Sequence, residues 1–205
     1  RAPLCEEAIR LARVLLRLFP AEPEIMGLLA LMLLQQSRLP ARFDTEGEAV
    51  RLEDQDRSRW DAKLVGEGLA LVDKALRHNR PGPYQVQAAI AAVHARAAKA
   101  ADTDWENIDA LYAALERMQP SPVVTLNRAV AIAKLKGAQV ALEMIQPLEE
   151  RLSRYFPYHG ARGAFLLQLG REGEARTAFT KAIALAASPA EAAHIRRHLD
   201  GLSAE

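Results

Sequence analysis

Gly170-Arg171-Glu172-Gly173-Glu174-Ala175-Arg176-Thr177-Ala178-Phe179-Thr180-Lys181-Ala182 decides the fold. Its glycines, alanines and single aromatic fall at the spacing of a helix pressed against a close neighbour, and the pattern has an echo upstream. Ala141 and Ala175 stand 34 positions apart, and the same offset links Ile132 to Leu166, Ile145 to Phe179 and Leu148 to Ala182. A recurrence of about 34 residues marks stacked helix-turn-helix units, each too small to bury its apolar face alone. Gly163 falls where the first helix of such a unit needs a small residue if the two helices are to touch.

That period is the tetratricopeptide one. The expected fold is therefore all-α: a right-handed α-solenoid of tetratricopeptide-like helical hairpins, about ten helices in one domain, residues 1–205. Residues 121–203 carry the clearest repeats and 1–120 a divergent helical part. Such arrays bind by shape, so the fold alone names no function.

Composition agrees. Apolar residues make up 50 % of the chain and aromatics only 5 %, which suits closely stacked Ala/Leu helices rather than a β-sandwich. Lys+Arg 27 against Asp+Glu 26 leaves a formal charge of +1, so no overall field draws the chain to nucleic acid or to an anionic membrane. The single Cys5 excludes an internal disulfide and fits a reducing compartment. The longest apolar run, Ile25 to Leu34, is too short for a bilayer that needs about 20 residues, and reads as a buried helix. The first residue is Arg1 and no signal-peptide pattern follows, so a piece of something longer is expected.

Leu4 to Phe19 has helical apolar spacing, with Arg10, Arg13 and Arg17 on one side as a solvated face or a docking surface for a missing N-terminal domain. The next helix, Pro23 to about Ser37, is apolar nearly all round and should be central. Asp44-Thr45-Glu46-Gly47 within Ala41–Leu52 reads as the turn of a short β-hairpin that must lie on the helical body. A long helix from about Asp56 to Arg77 should bury Trp60, Leu64, Gly68, Leu71, Val72, Ala75 and Leu76. Pro83 opens a helix to about Lys99, and Thr103 with Glu106 forms a capping box for the helix ending near Met118. Ser121-Pro122 caps the first repeat helix, and Pro147 should end or kink the second. Ser188-Pro189-Ala190-Glu191 opens a terminal helix to about Leu202, whose Arg196, Arg197 and His198 supply a polar outer face.

The densest charge lies in Leu52–Asp61, where Glu53, Asp54, Asp56 and Asp61 alternate with Arg57 and Arg59. A calcium loop needs oxygen ligands at every second position with a Gly turn and a closing Glu, and that frame is missing. Asp54 and Asp56 fit better as negative charge at a helix N-terminus, with Arg57 and Arg59 as ion-pair partners; an interaction surface is the other reading. Of His78, His94, His159, His194 and His198, only the last two have helical i, i+4 spacing, with no H-E-x-x-H, so surface positions are expected and no zinc. No Gly-rich phosphate loop and no Gly-x-Ser-x-Gly elbow occurs, so no enzyme and no cofactor or metal is expected. Tyr84 and Trp105 stand at helix starts as packing anchors; Tyr84, Gln85 and Asn127 are candidates to line a peptide-binding groove.

Three stretches carry a resemblance: Glu53–Asp61, Gly82–Ala95 and Ser121–Ala131. Together they resemble the C-terminal, tetratricopeptide-like extension of extracytoplasmic-function-type bacterial RNA polymerase sigma factors, over Ala2 to about Leu202. The resemblance implies a cytoplasmic, non-catalytic part of a transcription-initiation factor. It implies partners in the factor's own N-terminal sigma domains or core RNA polymerase, with no direct nucleic-acid contact by this stretch. The sigma domains themselves lie outside the chain. The residues expected to meet a partner are Glu53, Asp54, Asp56, Arg57, Arg59, Trp60, Tyr84, Gln85, His94 and Asn127. Two other classes stay open: a free-standing peptide-binding scaffold, and a small-molecule pocket near Trp60, Tyr84 and His94.

Overall fold

The computed structural model describes residues 2–201. They form ten α-helices and no strand: α1 (Ala2–Leu18), α2 (Pro23–Ser37), α3 (Ala62–Leu76), α4 (Pro83–Arg96), α5 (Trp105–Met118), α6 (Pro122–Lys136), α7 (Ala138–Ile145), α8 (Phe156–Gln168), α9 (Glu172–Leu185) and α10 (Pro189–Gly201). Short 3-10 turns join several of them. The fold is all-α, with consecutive helices packed as hairpins in the manner of a helical solenoid. The residues divide into two compact units, the first up to Arg42 together with Arg51–Gln119, the second Phe43–Val50 with the residues from Pro120 on. The border at 120 is the one at which the clear repeats begin.

In the first unit α2 is the hub, packed against α1, α3 and α4. Met26, Leu29, Ala30, Leu33 and Leu34 are all buried, as its unbroken apolar run requires. Ile9 and Ala12 of α1 pack on Leu29 and Leu33, while Val72 of α3 and Ala88 and Ala92 of α4 pack on Ala30 and Leu34. Gly27 sets the spacing between α2 and α4: a Cβ there would lie 2.6 Å from the backbone nitrogen of Gln85.

Three boundaries in this unit differ from expectation, two of them because another side chain supplies the cap. α3 starts at Ala62, since Asp61 accepts the N–H groups of Lys63 and Leu64 at 2.9 and 3.0 Å; Asp56 instead caps a 3-10 turn, Arg57–Arg59. α4 ends at Arg96 rather than near Lys99. Asp104, not Thr103, caps α5 by accepting from the N–H of Asn107, because buried Thr103 is engaged by Arg57. Leu76, expected in the buried stripe of α3, is exposed in its last turn.

The second unit is the repeat. All eight residues paired at the 34-position offset are buried. A Cβ on Gly163 would stand 2.4 Å from the ring of Phe179, so this glycine allows α8 and α9 to nest. Gly170 closes α8 in a left-handed conformation, φ +69°, with Gly170 N–H donating to Leu167 and Arg171 N–H to Leu166. Ser121 caps α6 with Pro122 following it, and α7 stops at Ile145 ahead of Pro147. Ser188 accepts from Glu191 N–H at 3.2 Å and Glu191 accepts from Ala187 N–H at 2.8 Å, which opens α10; its expected end near Leu202 lies outside the described residues. Arg196 and Arg197 are exposed, but His198 stacks on Phe179 with centroids 5.7 Å apart and His194 meets Phe156 edge-on, so neither ring is a plain surface group.

The expected hairpin shrinks to one antiparallel bridge, Phe43 to Ala49. The Asp44 carboxylate takes the N–H groups of Glu46 and Glu48, at 3.0 and 2.8 Å, and so shapes the loop through a side chain rather than through a backbone ladder. The loop does lie on a helix. Ala49 N–H donates to Ala190, and Arg197 of α10 pairs with Glu48 at 2.5 Å.

Candidate functional site

The charged stretch before α3 is held by one side chain turned inward. Arg57 donates from Nη1 to the carbonyls of His94 and Ala97, both at 2.7 Å, and from Nη2 to Thr103 Oγ1 at 3.1 Å. Those carbonyls lie at the C-terminus of α4, where backbone acceptors lack helical partners and a cation is favoured. The guanidinium carbon also lies 5.3 Å from the Trp60 ring centroid, and that of Arg38 lies 5.7 Å from it. Arg38 in turn donates to Gln55 and Gln35.

Two positive charges beside one buried ring shift the local acidities. His94 meets Trp105 edge-on at 5.5 Å, and burial, then Arg57 and Arg38, push its pKa down to about 4, so the ring is neutral at pH 7. Burial, with the charges of Arg42 and Arg57, lowers Arg38 to about 10. Trp60 Nε1, His94 Nδ1 and Arg57 Nε are buried and make no hydrogen bond among the described residues.

Outside this clamp lies a charged rim. Arg51 pairs with Glu53 at 2.9 Å and with Asp54 at 2.8 Å; Asp54, Asp56 and Arg59 are exposed. Asp56 accepts from both the N–H and the hydroxyl of Ser58, and these bonds hold its carboxyl below the usual range. The carboxylates are therefore engaged locally, and among the described residues no group of three or more His, Cys, Asp or Glu side chains could hold one metal ion.

The remaining expected residues do not join this cluster. Gln85 is buried in the contact of α4 with α2, donating to Arg80 and to Glu24, while Tyr84 beside it is 45 % exposed. Tyr84 and His94 sit ten residues apart on α4, about 15 Å along its axis, so they do not line one pocket with Trp60. Asn127 belongs to α6 in the second unit, where it is exposed. Sequence reasoning passed over Glu24 and Arg38, and read Thr103 as a helix cap rather than as an acceptor for Arg57. Glu24 is the cap of α4: its carboxylate accepts the N–H groups of Tyr84 and Gln85, both at 3.1 Å, where Gly82 offers no side chain. Nothing near Glu24 in the chain signals a partner 60 positions away.

Beside α1 lies an open cleft of about 540 Å³, floored by Leu16, Leu29 and Leu71 and rimmed by Arg13, Arg17, Glu67 and Lys74. Arg13 pairs with Glu67 at 2.7 Å and Arg10 with Glu7 at 2.7 Å, so two of the three arginines of α1 serve as surface ion pairs.

The fold and the rim define an all-helical repeat protein with a fixed charged edge. Residues 1–76 match a family of unknown function, DUF6596. A curated uncharacterized protein of Rhizobium meliloti (strain 1021) is 66 % identical over 204 residues, covering 100 % of this chain and 48 % of its own length. The chain thus spans about half the length of the curated relative it matches. No solved structure matches it. No helix among the described residues is long and apolar enough to cross a membrane.

Proposed function

We propose that the chain is a non-catalytic interaction domain of a bacterial RNA polymerase sigma factor. It lies C-terminal to the sigma domains in the cytoplasm and contacts those domains or core polymerase. The reading rests on the resemblance of the Glu53–Asp61, Gly82–Ala95 and Ser121–Ala131 stretches. One structural observation supports it above the others: the Arg57 clamp fixes the segment while Asp54, Asp56 and Arg59 face outward. A charged edge held still before it meets a partner loses little ordering entropy on contact.

The test is a triple charge reversal, Asp54→Lys, Asp56→Lys and Arg59→Glu, in the protein made from the complete reading frame. Arg57 is left intact, because its removal would loosen the loop itself. With circular dichroism unchanged, promoter-directed transcription by added core polymerase should fall at least about tenfold, the equivalent of about 1.4 kcal/mol of contact energy. Transcription at the parental level would remove the rim from the mechanism. Failure of the parental protein to bind core polymerase would remove the sigma-factor reading altogether.

A further inference from the structure

α1 shows an apolar arc wider than its neighbour covers. Ile9 and Ala12 turn to α2 and are buried. Next to them runs a second row, Leu4, Ala8, Leu11, Leu15 and Leu18, whose steps alternate four and three residues. Leu4 is 72 % exposed, Leu11 48 %, Leu15 41 % and Leu18 66 %, and Phe19 just beyond is 55 % exposed. Large leucines grouped on one face differ from the scattered apolar residues of an ordinary surface, and such a patch marks an interaction site.

The spacing states the shape of the partner. An alternation of four and three is the a/d seam of a left-handed helix pair, in which each leucine inserts between four residues of a facing helix running alongside. An extended strand presents its side chains at a period of two and would not follow this row. The seam over Leu4–Leu18 makes two heptads, about 21 Å of helix, enough for four turns of a partner.

The geometry points to a helix of the same polypeptide, outside the 205 residues, packed along the Leu4–Ala8–Leu11–Leu15–Leu18 seam of α1. The relative from Rhizobium meliloti supplies the second argument: it aligns with the whole of this chain and yet only 48 % of its length is used, so comparable polypeptide is carried beside this domain there. A tethered helix meets the seam at an effective concentration that a free partner must reach by expression, which favours the intramolecular occupant over a second copy. The inference names a surface other than the charged rim and holds whether or not the remainder is a sigma factor.

Photo-cross-linking decides it. A benzophenone amino acid replaces Leu11 or Leu15, one at a time, in the protein from the complete reading frame, with exposed Arg77, just after α3, as the control position. After irradiation, adducts from 11 and 15 should migrate as monomer and map by mass spectrometry to a single helical stretch outside residues 1–205, with the control giving at most about one tenth of the yield. An adduct joining two copies would assign the seam to a dimer and overturn the inference. So would an adduct within residues 1–205, or none above the control. Core polymerase is not needed for this readout, so its outcome is independent of the transcription test.

Discussion

The two units are held together by different means. In the second, small residues repeat at a fixed offset and one contact type recurs: Gly163 under Phe179, with Ala175, Ala178 and Ala182 beside it. In the first, a single apolar helix is surrounded, and polar side chains hold what the helices do not. Arg57 ties the stretch before α3 to the end of α4, and Glu24 ties α2 to the start of α4. A repeat joins like neighbours by like apolar contacts, whereas a hub with clamps relies on polar bonds that each occur once.

The sharpest way to break this contrast is at the aromatic of the repeat. Phe179→Ala removes a fully buried ring over a glycine and should cost about 3–5 kcal/mol in urea unfolding. A loss under about 1 kcal/mol would mean that the neighbouring alanines collapse into the space the ring leaves. Next come the two close approaches. Gly27→Ala and Gly163→Ala should each cost about 1–3 kcal/mol, with Gly27 the more severe. At Gly27 the added carbon meets the backbone of Gln85, which cannot move aside, whereas at Gly163 it meets the ring edge of Phe179, which can turn. Equal losses would erase that distinction.

The narrowest effect, absent at neutral pH, appears only in acid. His94 sits well below its ordinary value of 6.5, at about 4, so the unfolded chain binds a proton that the fold refuses between those values. The stability it contributes is complete above pH 6.5 and declines as pH falls toward 4, by up to roughly 1.4 kcal/mol per pH unit crossed. Subtracting the unfolding curve of His94→Gln from that of the parent should isolate this limb. A flat difference would mean that burial, with the charges of Arg57 and Arg38, does not keep the ring neutral.

The histidine also shows where sequence reasoning stops. Arg57, Trp60 and His94 were all legible as residues of interest, and the structure does gather them. Their roles were not legible. Arg57 reads as a surface ion-pair partner of nearby acids, yet its acceptors lie 37 to 46 positions downstream. Trp60 reads as the first residue of a helical stripe, yet it ends a 3-10 turn and is buried beside two arginines. That the short loop at Asp44 must lie on the helical body follows from its length, but that it belongs with α10, through Arg197 149 positions from Glu48, has no local mark.

By itself the sequence determined what is decided within a few residues or by a repeating period. The 34-residue recurrence, the buried α2, the stop at Pro147 and the caps at Ser121 and Ser188 all follow from spacing, ring closure and the unpaired N–H groups of a helix start. Only the tertiary structure decided which carboxylate caps α4, which guanidinium closes its far end, and which row of leucines on α1 is left outside. Each of those is a choice among chemically equivalent side chains. It is settled by which helix arrives opposite, and one-dimensional spacing carries no record of that.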